Sequence, residues 1–293
     1  MSGREAVVSA PGWQTLSVSV RGAAHIRSGA VNQDATAVWQ GTPNGLPLVL
    51  AVADGHGGAA YTRSHIGAVY AVKTAVRVLA RDLLPRLLVP GAPVDLTLVK
   101  RTCDEWLPKV LVRRWQEGVR RYTRRYPFAV DELRPPLTNE VHRPANSLSP
   151  YGATLIAGLL TENFHLYLQL GDGDILTVAA DGTVSRPALP ADARLLGNET
   201  TSLCMANAEA SMRLAFQPVL GEPPSLVLFS TDGYTNSFVD SASFEQVGAD
   251  LLAAIRADGL AAVGEALPDW LSQTSAAGSG DDISVALAVH VAG

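Results

Sequence analysis

Cysteine is scarce in these 293 residues: Cys103 and Cys204 are the only two, and they sit in unrelated sequence contexts. Both read as reduced packing residues, not as a disulfide. Cys-x-x-Cys and His-Glu-x-x-His do not occur, which removes the usual ligand patterns of zinc. The most apolar strand-like run, Leu46 to Ala53, is far too short to cross a bilayer. Met1 to Trp13 lacks the basic-then-apolar order of a signal segment. Charged residues are only 17% of the chain and the net charge is -5, so no global field attracts nucleic acid or an anionic membrane. No internal repeat is visible. These absences lead us to expect a cytoplasmic protein with neither nucleic acid nor membrane as partner.

What is plentiful is apolar sequence, 47% of residues, enough for a large core and a globular composition without general disorder. We read residues 1–293 as one domain with a short flexible amino terminus, about 1–13. Leu16 to Val20 alternates as a half-buried strand does. Strands follow at Ala35 to Gln40 and Leu46 to Val52, joined by Pro43-Asn44-Gly45. Helical spacing then spans Ala59 to Leu88, punctuated by Pro85 and Pro90. A second helical region covers about Val94 to Tyr126, with Leu98, Trp106, Val110 and Trp115 as core anchors and a break at Pro108.

Arg134 to Pro150 reads as a surface connection. Beyond it come strands at Thr154–Leu160, Phe164–Leu170, Ile175–Ala179, Arg213–Pro218 and Leu226–Ser230, with turns at Glu162-Asn163 and Asp181-Gly182. Helices are expected near Phe244–Arg256, opened by the capping-box pattern Ser243-x-x-Gln246, and near Leu260–Ser272. A last strand runs Ile283–Val291. Antiparallel strands with inserted helices imply an α/β (α+β) sandwich: two sheets face to face, helices outside.

Several strands end on aspartate beside glycine, another acid or an amide. The segments are Asn32-Gln33-Asp34, Asp54-Gly55-His56-Gly57-Gly58, Gly171-Asp172-Gly173-Asp174, Ser230-Thr231-Asp232-Gly233 and Gly280-Asp281-Asp282. A lone Asp-Gly is most often a turn, and Asp181-Gly182 is read as one. Repetition along the chain instead suggests carboxylates gathered at one edge of the sheets. Such a cluster repels itself unless hard cations sit among the oxygens. Carboxylates, backbone carbonyls and a single nearby histidine favour Mg2+ or Mn2+ over zinc. Two such cations address what makes a phosphate ester hard to hydrolyse, namely its negative charge and its poor leaving group.

These segments, together with Gly152-Ala153-Thr154 and Asp281-Asp282-Ile283-Ser284, occur in an order that resembles the motif series of the metal-dependent, type-2C serine/threonine protein phosphatases. The resemblance runs from about Leu16 to Val291 and is closest to bacterial members. It implies a metal site at one end of the two sheets and hydrolysis of phosphate monoesters by a metal-bridging hydroxide. Asp54 would bridge two Mn2+ or Mg2+ ions and the Gly55 carbonyl would bind one of them. Asp232 and Asp281 would complete the first ion's ligands, Asp34 would serve the second, and Asp172 would help Asp232 hold a third, weaker one. His56 would be the general acid. The implied partner is a phosphorylated protein, a serine/threonine kinase or its target.

The chain departs from the family pattern in places. Bacterial relatives carry a phosphate-binding arginine five residues before the first motif's aspartate; here Arg27 lies seven before Asp34 and can still reach if the loop bulges, which Gly29 makes feasible, with His25 as a second candidate anion contact. Asp174 stands where arginine is usual, either for a different hydrogen bond or as one more acid near the metals. Asp282 stands where asparagine is common. The irregular stretch Pro187–Met205 is shorter than the family's flap, which implies an open cleft.

Other readings stay beside these. His56 could merely hydrogen-bond a ligand carboxylate. His65, His142, His165 and His290 have no motif context and read as structural or surface residues. Arg113-Arg114, Arg120-Arg121 and Arg124-Arg125, interleaved with Trp115, Tyr122 and Tyr126, read as a solvated basic helix face with aromatics packed inward; any partner of that face would be acidic. The alternative to an active phosphatase is a catalytically silent relative that binds phosphoproteins as a scaffold, and a third reading is a phosphoesterase of small molecules or nucleotides.

Overall fold

Strand-forming sequence becomes two five-stranded sheets in the computed structural model of the protein, which describes residues 12–43, 45–89, 91–129, 132, 148–191 and 200–291. One sheet has the order β1 (Gly12–Val20), β10 (Ile283–Val291), β9 (Leu226–Ser230), β6 (Asp174–Val178), β7 (Val184–Ser185). The other has β2 (Ala35–Thr42), β3 (Gly45–Ala53), β4 (Leu155–Leu160), β5 (Phe164–Leu170), β8 (Arg213–Pro218). Every pairing is antiparallel. Leu48, Leu50, Val52, Tyr167, Val227 and Phe229 fill the space between the sheets. Leu48 to Ala53 is buried throughout, because β3 faces the other sheet on one side and helices on the other. That is why it reads as an unbroken apolar run instead of alternating.

Helices cover both outer faces. α7 (Ser241–Asp258) and α8 (Leu260–Ala277) pack Phe244, Leu252 and Leu267 onto β6, β9 and β10. On the other face α2 (Ser64–Arg77) continues through a π-helical turn, Val78–Leu83, into α3 (Leu84–Leu87). Pro85 therefore does not end the helix. The widened turn before it accommodates a ring that would clash with the carbonyl of an α-helix. α4 (Leu96–Glu105) and α5 (Leu107–Arg125) follow, broken at Trp106 with Pro108 in the first turn of α5. Leu98 is not a core anchor: it is 41% exposed, because Val99 and Cys103, one turn apart, form the inward face of α4. Trp106 is half-buried under the Arg86 guanidinium, whereas Val110 and Trp115 are buried as expected.

Two short helices were not anticipated, α1 (Ala23–Ser28) and α6 (Asp232–Thr235), and β1 begins four residues earlier than Leu16. The cap of α7 is Asp240, whose carboxylate accepts the Ser243 N–H, so Ser243-x-x-Gln246 is not a capping box. Ala59–Arg63 forms turns instead of helix. Most of the Arg134–Pro150 connection, His142 and the middle of Pro187–Met205 lie outside the described residues. Both cysteines are free thiols, Cys103 buried and Cys204 half-buried. Among the described residues no helix is long and apolar enough to cross a membrane.

The pairings decide where the motifs meet. β2 starts beside the end of β3, with Ala35 opposite Ala53. β5 ends beside the start of β4, with Leu170 opposite Leu155. β10 starts beside the end of β9, with Val285 opposite Ser230. The loops carrying Asp34, Asp54, Asp172, Asp232 and Asp281 therefore leave the sandwich at one end.

Candidate metal centre

Asp54 follows the buried end of β3 and is held by Thr154, the sequence-distant residue just before β4. Its N–H donates to Thr154 Oγ1 at 3.0 Å, and the Thr154 N–H donates to the Asp54 carbonyl at 2.8 Å. Gly55 bridges to Ala153. A Cβ at Gly55 would lie 2.5 Å from the Gln33 carbonyl oxygen, so only glycine lets the two loops approach this closely. Asp34 is 8% exposed; its Oδ2 accepts the Thr231 hydroxyl at 2.7 Å, while Thr231 Oγ1 itself accepts the Ser284 N–H. Asp232 opens α6, where the Asn236 amide donates to its Oδ2. Asp172 and Asp281 are more exposed, at the rim.

The charges register this convergence. Burial is the largest effect on Asp34, followed among the raising effects by Asp282 and Asp232, and its carboxyl is pushed up to about 8. Asp54 is raised well above the ordinary carboxyl range, first by burial and then by Asp34, Asp232, Asp281 and Asp172. Asp232 is raised to about 6 by burial and by Asp172 and Asp281, against a hydrogen bond with Asp54. A pocket that disfavours its own ionised carboxylates calls for compensating positive charge. The donors are all hard oxygens, held by backbone and hydroxyl contacts made before any ion arrives. This set fits Mg2+ or Mn2+.

Asp282 has a task the sequence did not reveal. It is 2% exposed, and its two oxygens accept the N–H groups of Gly22 and Gln33, each at 2.6 Å. It thereby ties the start of β10 to both loops flanking α1. His25 Nδ1 lies 2.8 Å from Asp282 Oδ2, a charge contact when the ring is protonated, without hydrogen-bond geometry. With Asp281 these groups form a further cluster of metal-ligand type at the edge of the pocket. Asp282→Ala strands the buried Gly22 N–H and the half-buried Gln33 N–H and is expected to cost about 2 kcal/mol or more of stability, read from urea denaturation. Asp174 turns away from the pocket: Arg186 Nε contacts Oδ1 at 3.0 Å and the Thr235 hydroxyl donates to Oδ2 at 2.6 Å. Of its two expected roles, it takes the different hydrogen bond.

Arg27 does not rely on a bulged loop. It sits in the last turn of α1, closed by Gly29 at φ 74°, a left-handed conformation suited to glycine. Its Nη2 lies 3.9 Å from where a Cβ on Gly280 would be, beside Asp281. His25, on the same helix, faces Asp282. The His56 ring is half-buried and stands edge-on to Tyr61, with centroids 5.0 Å apart. Burial lowers its pKa and the field of Asp172 opposes that shift. Among the described residues its ring makes no hydrogen bond to a carboxylate. The end of the irregular stretch braces the pocket: Thr201 Oγ1 accepts the Gly171 N–H, and Ser202 Oγ accepts the Ala153 N–H.

Two of the other histidines pack as structural residues. His165 is buried beside Trp13 and Tyr167, and His290 lies against Trp13. On α5 the Trp115 indole points inward and donates to the Gly67 carbonyl, while Arg113, Arg120, Arg121, Arg124 and Arg125 are exposed. Tyr126 is not packed inward; it is 49% exposed at the end of the helix.

The family profile described as protein phosphatase 2C matches residues 21–272. Among solved structures the chain is similar to the serine/threonine phosphatase Stp1 from Staphylococcus aureus, with 13% identity, TM-score 0.56 and 100% of each chain covered. It is similar to PppA, a key regulatory component of T6SS in Pseudomonas aeruginosa, with 18% identity, TM-score 0.54, and 96% of this chain and 98% of that one covered. It is similar also to the catalytic domain of the serine/threonine protein phosphatase PstP in complex with two manganese ions, with 17% identity, TM-score 0.53, and 96% and 99% covered. At these identities the likeness is one of fold. None of the curated proteins compared matches the chain significantly.

Proposed function

Because the chain belongs to the protein phosphatase 2C family, we propose that it is a metal-dependent phosphoserine/phosphothreonine protein phosphatase. The observation that carries this is the gathering of Asp34, Asp54 and Asp232 at the one end of the sandwich where the motifs meet, each carboxyl raised first by burial and then by neighbouring acids. In this reading Asp54, the Gly55 carbonyl, Asp232 and Asp281 would hold one Mn2+ or Mg2+, Asp34 with Asp54 would hold a second, and Asp172 with Asp232 a weaker third. Bound there, the cations neutralise phosphate charge and acidify water.

The chain's own residues do the rest. Thr154, Thr231 and Ser284 hold Asp54 and Asp34 in place, so little reorganisation accompanies reaction. Arg27, at the rim beside Asp281, contacts the substrate phosphate. As a water oxygen adds to phosphorus, the bond from phosphorus to the serine or threonine oxygen breaks and its electron pair leaves with that oxygen. His56 gives that oxygen a proton and regains one from the water. An incoming phosphate dianion raises the His56 pKa against the effect of burial, which favours the protonated ring when it is needed.

The silent-scaffold reading is the second possibility, and the presence of all of Asp34, Asp54, Asp232 and Asp281 favours the enzyme over it. Hydrolysis of a chromogenic aryl phosphate is expected with Mn2+ or Mg2+ and is expected to stop in chelator. Folded, metal-loaded protein inert on aryl phosphate and on phosphopeptides would favour the scaffold. Turnover of phosphonucleotides in preference to phosphopeptides would favour the small-molecule phosphoesterase.

A further inference from the structure

We propose that Arg63 is a positioning residue for the leaving-group proton donor, holding in place, through Tyr151, the backbone wall at Gly152 against which His56 sits. The proposal rests on the phosphatase reading above and adds to it a residue outside the motif series.

Arg63 is 11% exposed at its side chain, and all five of its guanidinium N–H donors are used. Nε and Nη2 donate to the two Glu132 oxygens at 2.7 and 2.8 Å. Nη1 donates to the Tyr126 carbonyl at 2.6 Å and the Tyr151 hydroxyl at 3.1 Å, and Nη2 to the Pro127 carbonyl at 3.0 Å. The guanidinium also lies 4.0 Å from the Phe128 ring centroid, and the Arg63 backbone N–H donates to the Pro150 carbonyl. One side chain thus joins the segment after α5 to the segment 148–152.

That second segment is a wall of the His56 site. Tyr151 is fully buried, and its hydroxyl also meets the Thr123 hydroxyl of α5 at 3.0 Å. Its carbonyl oxygen abuts α2 so closely that a Cβ on Gly67 would lie at 1.8 Å. The next residue, Gly152, accepts the His56 N–H at 3.1 Å. A Cβ on Gly152 would fall 2.8 Å from the His56 ring and 2.7 Å from the Tyr61 ring. Tyr61, the other wall, lies two residues before Arg63, and its carbonyl accepts the Ser64 N–H. The Gly152 wall is therefore carried on a segment that the Arg63 side chain holds through the Tyr151 hydroxyl, and the Tyr61 wall adjoins Arg63 in the chain. A proton donor displaced by about 1 Å loses on the order of a hundredfold in rate.

A purely structural ion pair would have a different signature. Protonation of the leaving oxygen matters for a serine alkoxide and little for 4-nitrophenolate, which departs without help. Loss of folding or metal would instead slow both substrates in step. The experiment measures kcat/KM with Mn2+ on a phosphoserine peptide and on 4-nitrophenyl phosphate, for the unsubstituted protein, Arg63→Met, Arg63→Lys, Tyr151→Phe and His56→Gln. General acids contribute about 10²–10⁴-fold, so Arg63→Met is expected to lose at least about tenfold more on the peptide than on the aryl ester. Tyr151→Phe should shift the same ratio by less. Arg63→Lys should stay nearer Arg63→Met than the unsubstituted protein, because an ammonium cannot replace the planar fork.

Equal losses on both substrates in folded Arg63→Met and Tyr151→Phe would overturn the proposal. If Arg63→Met does not fold, Tyr151→Phe decides. If His56→Gln loses equally on both substrates, the general-acid assignment falls and takes the proposal with it. If His56→Gln is selective and Arg63→Met is not, the Arg63 proposal fails alone. If the unsubstituted protein releases no phosphate from either substrate, the phosphatase reading itself fails.

Discussion

Asp54→Asn is expected to lower metal-dependent turnover by at least about a hundredfold, because removing even a partner one step behind a metal ligand costs about 10–100-fold. The same is expected of Asp232→Asn. Both changes keep the shape of the side chain, so the Thr154 and Asn236 contacts that hold these positions survive. What disappears is one negative charge at the point where four other acids act on Asp54. In chelator the substituted proteins are expected to melt at a higher temperature than the unsubstituted one, since each removes a charge the pocket disfavours. Asp174→Ala supplies the contrast. Its carboxylate serves Arg186 and Thr235, so activity should stay within severalfold of the starting value. Paired assays and melts of the three variants check both halves of the expectation.

The second large effect is on stability against pH. Asp34 rises from 3.8 to about 8 and Asp232 from 3.8 to about 6, with burial as the first cause in each. Between the unfolded and folded values the native protein holds protons that the unfolded chain has released. Stability therefore falls as pH rises through that window, and what these groups contribute at pH 4 is lost by about pH 8. In chelator the melting temperature is expected to be higher at pH 5 than at pH 8. Mn2+ at pH 8 should reverse the loss by replacing protons in the pocket, adding about 2.7 kcal/mol when the free ion is a hundred times its dissociation constant. Equal melts at pH 5 and 8 in chelator, with no response to Mn2+, would mean that these carboxylates are not buried beside one another as described.

Much of this centre could be read from sequence because its parts are local. An apolar run ending in Asp-Gly reports both the strand and the residue at its mouth, so β3 with Asp54 and β9 with Asp232 were legible from a few residues each. The strands Phe164–Leu170, Arg213–Pro218, Leu226–Ser230 and Ile283–Val291 have the bounds their patterns implied. α1 was not legible: six residues are too few to show helical periodicity, and its N-cap, Gly22, offers no side-chain bond. That hid how Arg27 and His25 come to lie on one short element. α6 was hidden inside an Asp-Gly that reads as a turn.

The tasks of Asp282 and Asp174 depend on partners far along the chain. Asp282 bonds Gly22 and Gln33 at separations of 260 and 249 residues, and Asp174 bonds Arg186 and Thr235 at 12 and 61. No spacing rule reaches that far. Arg63 was passed over for the same reason, since its partners gather from 126–132 and 150–151 only in the folded chain.

The most direct test of the centre is phosphate release from a phosphoserine peptide by one preparation, assayed in Mn2+, then in chelator, then in Mn2+ again. Turnover that appears, stops and returns is the expected result. Folded protein that binds Mn2+ and releases no phosphate from the peptide would contradict it.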